Sequence, residues 1–215
     1  MKQTALFHAY RECGATVIEH HDWHVPAFFT SPDAEAARVR ESVGLADVSW
    51  MLKFDLQGQG LKDPPSFGEQ TFSWKLGQLH YLVTCESPSG EAIRDRFQQV
   101  QNTQVDPSLP LPFYVTEVTS VYAQVWLAGP QSREVLNKLT SLNLANELLP
   151  NMSCAQASVA HVPAIILRQD SPELLGYHLL IGRDYGESVW ESLMHAGREF
   201  RIAPFGLQAQ RLLHG

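Results

Sequence analysis

From residue 50 onward the apolar positions follow one plan twice. The first run predicts a strand over 50–57, a hairpin near 72–85 and a helix over 88–101. The second predicts a strand over 121–128, a helix over 130–142, a hairpin near 158–182 and a helix over 185–197. Strands are read from alternation, and helices from apolar residues three and four apart. The two runs also correspond residue by residue. At an offset of 96, Tyr81, Val83 and Cys85 match Tyr177, Leu179 and Ile181 on one strand face. Gly90-Glu91 matches Gly186-Glu187 at a helix start, and Ile93 and Phe97 match Val189 and Leu193 on one helical face. In the leading strands, Phe54, Leu56 and Gly58 stand against Val125, Leu127 and Gly129. Unlike features coincide in order, which favours a duplication over two unrelated β–β–α units.

The implied fold class is α+β: duplicated ferredoxin-like (split β–α–β) halves, with helices packed on antiparallel sheets. The halves differ in one place. After its leading strand the second half has a helix marked by Val135, Leu136, Leu139 and Leu142. The first half has only residues 59–67, where Pro64-Pro65 precludes a regular helix interior. The expected division is an N-terminal segment plus a first, eroded half over 1–101, a Pro-rich connection over 102–120, and a second half over 121–215. These read as one interleaved unit. Within the N-terminal segment a helix follows Ser31, an N-cap residue. Pro32 takes the first helical position, Asp33 and Glu35 lie near the positive helix end, Val39 and Val43 are four apart, and Gly44 is the stop.

Composition narrows the classes. The chain has 215 residues, 44% hydrophobic and 18% charged, which suits a globular core rather than disorder. Its net charge of −7 comes without a basic run, so nucleic acid is not an expected partner. No segment has the ~20 apolar residues of a membrane-spanning helix, and Met1-Lys2-Gln3-Thr4 lacks a signal-peptide plan. Cys13, Cys85 and Cys154 form no CxxC pair and read as buried thiols of a reducing, cytoplasmic protein. Glu19-His20-His21-Asp22-Trp23-His24 contains residue types that bind zinc, but adjacent His20 and His21 point oppositely on a strand and the spacing fits no site, so no metal is expected. His80, His161 and His195 read as surface or capping residues. No phosphate-binding GxxxxGK[ST] or dinucleotide GxGxxG is present.

A set of short segments carries a resemblance. They are Trp23-His24-Val25-Pro26, Gly44-Leu45-Ala46-Asp47-Val48-Ser49, Gly129-Pro130 with Val135-Leu136, Gly176-Tyr177, and Pro204-Phe205-Gly206-Leu207. In this order and spacing, from Thr4 to about Leu213, the chain resembles the glycine-cleavage T-protein (aminomethyltransferase) family of folate-dependent one-carbon enzymes. The resemblance implies two interleaved subdomains around a central tunnel that holds tetrahydrofolate. It also implies a third, β-rich domain beyond the point where this chain stops.

The same resemblance locates departures. The Gly-rich stretch that carries the family's catalytic Asp has no counterpart, because the chain runs from Gln57-Gly58 through Pro64-Pro65 to Phe72-Ser73-Trp74. Asp63 and Glu69 lie in the shortened loop without the motif, so no catalytic residue is assigned. His178 stands where the family has a pteridine-binding Glu. Gln210 stands where it has an Arg, with Arg211 adjacent. Trp50 replaces a His. Of the family's Arg-x-Tyr-Thr-Gly-Glu segment only Arg168 is kept. The expected ligand site is a cavity between the halves lined near Met51, Tyr81, His178 and Gln210. Two functions follow. One is a tetrahydrofolate-linked, aminomethyltransferase-like protein. The other is a non-catalytic subunit, interaction protein or homodimer built on the folate-binding fold.

Overall fold

The structure is a computed structural model. It describes residues 1–59, 61, 71–86, 90–91, 93–95 and 113–214. In chain order the elements begin with β1 (Lys2–Gln3), α1 (Phe7–Glu12), β2 (Thr16–His20), β3 (Trp23–Phe28), α2 (Pro32–Glu41) and β4 (Gly44–Asp47). There follow β5 (Leu52–Gln57), β6 (Thr71–Gly77), β7 (His80–Cys85) and β8 (Tyr114–Glu117). The chain continues with β9 (Tyr122–Ala128), α3 (Ser132–Asn137), β10 (Ser153–Val159), β11 (Val162–Arg168) and β12 (Gly176–Gly182). It closes with α4 (Gly186–Ala196), β13 (Ala203–Pro204) and α5 (Leu207–His214). Two compact units result, Met1–Trp50 with Ser120–Gly215, and Met51–Thr119.

The larger unit holds a six-stranded sheet ordered β10-β11-β12-β9-β4-β13 and a three-stranded sheet ordered β1-β3-β2. The ladders are antiparallel as expected, apart from two short parallel pairings, β1 with β3 and β13 with β4. On one face of the large sheet Val125, Leu127, Tyr177, Leu179 and Ile181 join Leu6 at the N-cap of α1, Tyr10 of α1, Val135 and Leu136 of α3, and Val189, Trp190 and Leu193 of α4 in a single buried cluster. The smaller unit holds a four-stranded sheet ordered β6-β7-β5-β8, with Leu52, Phe54, Leu56, Tyr81, Val83, Cys85 and Ile93 as its core.

The duplication is visible in the ladders. Leu56 pairs with Tyr81 and Phe54 with Val83, while Leu127 pairs with Tyr177 and Val125 with Leu179. Matched residues thus occupy matched registers. The turn after each leading strand is also repeated. Gly58 N donates to Leu79 O at 3.1 Å and Gly129 N to Leu175 O at 2.9 Å. Leu61 N then donates to Gly58 O, as Ser132 N does to Gly129 O. Both glycines have positive φ, 149° and 120°. At Gly129 a Cβ would also lie 2.3 Å from Ser42 O, so the backbone's close approach demands glycine twice over. At the helix start, a Cβ on Gly186 would meet Ala123 Cβ at 2.7 Å, and one on Gly90 would meet Leu52, the equivalent position. The first half therefore keeps the turn that opens the second half's helix. Its continuation at Gly60 and over 62–70, the prolines included, lies outside the described residues. So do most of the predicted 88–101 helix, of which Gly90, Glu91 and Ile93 to Asp95 are helical, and the 102–112 connection.

Several local expectations are corrected. Gly44 does not stop α2. The helix ends at Glu41 with Ser42 as C-cap, and Gly44 opens β4. A Cβ there would press on Val39 Cγ2 at 2.6 Å and the Phe205 ring at 2.7 Å. The N-terminus of α2 is as read, with Ser31 Oγ accepting from Ala34 N at 3.3 Å. The helix predicted over 130–142 is only α3. Beyond it the side chains of Thr140 and Asn143 accept from Leu142 N and Ala145 N, a local competitor to helix continuation. The segment rich in His forms the β2–β3 hairpin, with His21 and Asp22 at φ 49° and 65° in its two-residue turn. Ala160 and His161, at 50° and 67°, turn β10 into β11 in the same manner. Of the thiols only Cys85 is buried; Cys13 is exposed and Cys154 half-buried. Among the described residues no helix is long and apolar enough to cross a membrane.

Candidate functional site

Two segments that carried sequence signals are consumed by the scaffold. Glu35 is buried, and its Oε1 accepts from Phe29 N and Thr30 N, each at 2.7 Å. Its Oε2 accepts from Gly206 N at 2.8 Å. One carboxylate thereby ties the β3–α2 corner to the turn that starts α5. Arg168 is buried as well. Its guanidinium donates to Asp170, to Asn146 Oδ1 at 2.8 Å and to Leu149 O at 2.7 Å. The residues that replace the family's Arg-x-Tyr-Thr-Gly-Glu segment thus fasten the 146–151 loop to the end of β11.

The face of the large sheet opposite its apolar cluster is different in kind. It presents Gln124 and Trp126 from β9 and His178 and Leu180 from β12, with His178 directly opposite Trp126 in the ladder. All four are buried. The His178 and Trp126 rings stack with centroids 5.6 Å apart and planes 2° apart, and Phe205 meets Trp126 edge-on at 5.3 Å. Gln124 Nε2 lies 3.2 Å from His178 Nδ1. Donation there makes Nδ1 an acceptor and puts the proton of neutral His178 on Nε2.

A chain of hydrogen bonds fixes this face from below. Thr4 Oγ1 donates to Asp47 Oδ2 at 2.6 Å, and Ser49 N donates to Asp47 Oδ1 at 3.0 Å. Gln124 N donates to Ser49 Oγ at 2.9 Å. The Gly44–Ser49 segment that carried the resemblance is therefore the brace behind Gln124.

Sequence-predicted site residues separate into two groups. His178 and Gln210 both belong to the larger unit. Gln210 lies on α5, is 5% exposed, and its N donates to Gly206 O at 3.0 Å. Its side-chain Nε2 is buried with no partner among the described residues. Met51 and Tyr81 belong to the smaller unit. Met51 is half-buried and its carbonyl accepts from Lys53 Nζ at 2.6 Å; Tyr81 is fully packed in that unit's apolar cluster. Trp50, at the family's His position, is 2% exposed against the ring of His20 at 4.5 Å. Burial, the neighbouring His21 and Arg211 together lower His20 to about 4. Asp63 and Glu69 lie outside the described residues. Among the described residues no group of three or more His, Cys, Asp or Glu could hold a metal ion.

Gln124 and Trp126 were not legible as site residues. Trp126 falls within the strand predicted over 121–128, between Val125 and Leu127. The available signal was Gln124 itself, a polar residue in a strand whose neighbours on both sides, Ala123 and Val125, are wholly buried.

Chemically, the face offers an amide oxygen that accepts and a flat aromatic pair, and α5 adds the buried amide nitrogen of Gln210. Gln124 Oε1 and Gln210 Nε2 are both buried without partners among the described residues. Such atoms suit a flat, neutral heterocycle bearing both N–H and C=O groups. Two grooves elsewhere on the same unit, of about 680 and 600 Å³, are lined by other residues, including Cys13, Trp190 and Met194 in the larger and Arg38, Gln131 and Arg201 in the smaller.

Comparison with known proteins bears on this geometry. A family model, the GCVT N-terminal domain, matches residues 69–214. The aminomethyltransferase of Halothermothrix orenii is 30% identical over 231 residues, which is 99% of this chain and 64% of that protein. Sarcosine oxidase subunit alpha of Corynebacterium sp. (strain P-1) is 29% identical over 89% of this chain and 23% of its own length. The crystal structure of glycine cleavage system aminomethyltransferase T from Bartonella henselae matches with a TM-score of 0.76 at 19% identity, over 99% of this chain and 62% of that one. This chain thus spans less than two thirds of the aminomethyltransferases it resembles.

Proposed function

We propose, from the premise that this chain belongs to the GCVT N-terminal domain family, that it binds a reduced folate and lacks the family's catalytic carboxylate. Tetrahydrofolate, when bound, supplies ring nitrogens that carry one-carbon units. In this reading His178 and Gln210 hold the ring, with the Trp126–His178 stack as the flat wall beside it. Gln210 Nε2 donates to a ring acceptor. His178 puts an imidazole where the resemblance implies an anionic acceptor, so the site holds no carboxylate at that position. Met51 and Tyr81 are retained as further ligand candidates on the strength of the resemblance alone.

The observation that carries the reading is the buried Nε2 of Gln210 on α5, without a partner among the described residues. A polar atom kept dry in a folded protein raises its free energy by about 1–3 kcal/mol unless something meets it. Its location at a family ligand position makes a ligand group the natural partner. The test is calorimetric titration with tetrahydrofolate under reducing conditions, using the wild type and the Gln210→Ala, His178→Ala, Met51→Ala and Tyr81→Phe variants. Micromolar binding that weakens in the Gln210 and His178 variants is expected. Unchanged affinity in both would remove the ring from this face.

A second reading is favoured by the similarity to a sarcosine oxidase subunit. Here the domain serves as a non-catalytic subunit of a larger assembly or as a homodimer. Solution mass at micromolar concentration separates a monomer from a homodimer, and co-purification from the native source separates both from a hetero-assembly.

A further inference from the structure

Gln124 brings a second buried polar atom to the large sheet, its Oε1. Its residue is 1% exposed, inside a strand of the large sheet whose residues are all buried apart from Tyr122. Its backbone is held at both ends. Gln124 N donates to Ser49 Oγ at 2.9 Å, and Gln124 O accepts from Val48 N at 2.9 Å and Ser49 Oγ at 3.3 Å. Ser49 is held in turn by Asp47, and Asp47 by Thr4. The side chain is oriented too, because Nε2 is engaged by His178 Nδ1 at 3.2 Å. What remains is Oε1, buried and without a partner among the described residues. Buried side-chain acceptors in native proteins nearly always have a donor. An acceptor this firmly braced cannot swing away to find one, so the donor has to come to it.

We infer that Gln124 is the specificity-determining residue of the site, its Oε1 accepting an N–H from the ring of the bound heterocycle. His178 is the positioning residue that sets which end of the amide is presented. Because Nδ1 takes the Nε2 hydrogen, the oxygen is the end left for the ligand. Gln124 Oε1 then reads a ring N–H, a donor that a 2-amino-4-oxo pterin ring offers. The inference rests on the folate reading, and its test keeps the two separable.

The test uses three probes under reducing conditions: tetrahydrofolate, tetrahydropterin (ring without tail) and p-aminobenzoylglutamate (tail without ring). Proteins are the wild type, Gln124→Leu and Gln124→Glu. Loss of one hydrogen bond in Gln124→Leu is expected to weaken tetrahydrofolate and tetrahydropterin by the same factor, about tenfold or more. Binding of the tail fragment stays unchanged. Gln124→Glu keeps an acceptor oxygen and restores ring binding. In the wild type, the Gln124 side-chain amide resonances shift on adding tetrahydropterin, a readout that needs no variant to fold. Wild-type folate binding with undiminished ring affinity in Gln124→Leu, or with unmoved Gln124 resonances, overturns the assignment to Gln124 and leaves the folate reading standing. Equal weakening of the tail fragment overturns it as well, by exposing a general structural effect. Absence of wild-type binding to tetrahydrofolate overturns the folate reading and this inference together.

Discussion

Replacing Glu35 by Gln tests the link between the scaffold and the site. The native carboxylate is 4% exposed and accepts three backbone N–H groups at 2.7–2.8 Å. Hydrogen bonds to a charged group contribute about 1.5–3 kcal/mol each. An amide in the same place has one acceptor oxygen. If that oxygen keeps Phe29 and Thr30, the NH2 group faces Gly206 N–H, donor against donor. One bond is lost, the two kept lose their charge assistance, and a buried N–H is orphaned. The expected destabilisation is about 2–4 kcal/mol, rising above about 4 kcal/mol for Glu35→Ala, which strands all three donors. Urea unfolding followed by circular dichroism measures it, with exposed Glu41→Gln as a control expected within about 0.5 kcal/mol of wild type. Because Gly206 N is the anchored group and Gly206 O receives Gln210 N, the same change should loosen α5 and weaken ligand binding. A Glu35→Gln protein as stable as the control would refute the view that this carboxylate locks the turn before α5.

Other expectations follow from the same contacts. Arg168→Lys should destabilise by about 3 kcal/mol in urea unfolding, since an ammonium cannot span Asp170, Asn146 and Leu149 O at once. Gly129→Ala should prevent native folding, read as loss of a cooperative melt, because positive φ and the 2.3 Å approach of Ser42 O both exclude a Cβ. His20 is lowered from 6.5 to about 4, so between those values the unfolded chain binds the proton more readily. Stability should therefore be retained above about pH 6.5 and fall as pH drops toward 4, and His20→Phe should flatten that slope in melts across the range. Cys85, buried and pushed up to about 11, should resist a thiol reagent in the native protein, while exposed Cys13 reacts first; peptide mapping after labelling checks the order.

The duplication was legible because it is written in strand faces. Tyr81 and Tyr177 repeat with their partners Leu56 and Leu127, and alternation makes such faces readable from the order of residues alone. Boundaries were less legible. Gly44 looked like a helix stop, yet its real constraint is the approach of Val39 and Phe205, a tertiary contact that local pattern does not encode. The extent of α3 was overestimated because Leu139 and Leu142 keep helical spacing while Thr140 and Asn143 turn the backbone out of the helix. His178 and Gln210 could be named because the resemblance implies ligand positions there. Gln124 could not, since nothing in one sequence says which amide oxygen will be left without a donor. That depends on the Ser49 hydroxyl and His178 Nδ1 reaching it from distant segments.

The proposed occupant of the face built by Gln124, Trp126 and His178 is a reduced folate. Equilibrium dialysis of the wild-type protein against labelled tetrahydrofolate tests it most directly. Saturation near one equivalent per chain at micromolar free ligand is the predicted result. No bound ligand at roughly millimolar concentration, a standard free energy weaker than about −4 kcal/mol, would contradict it.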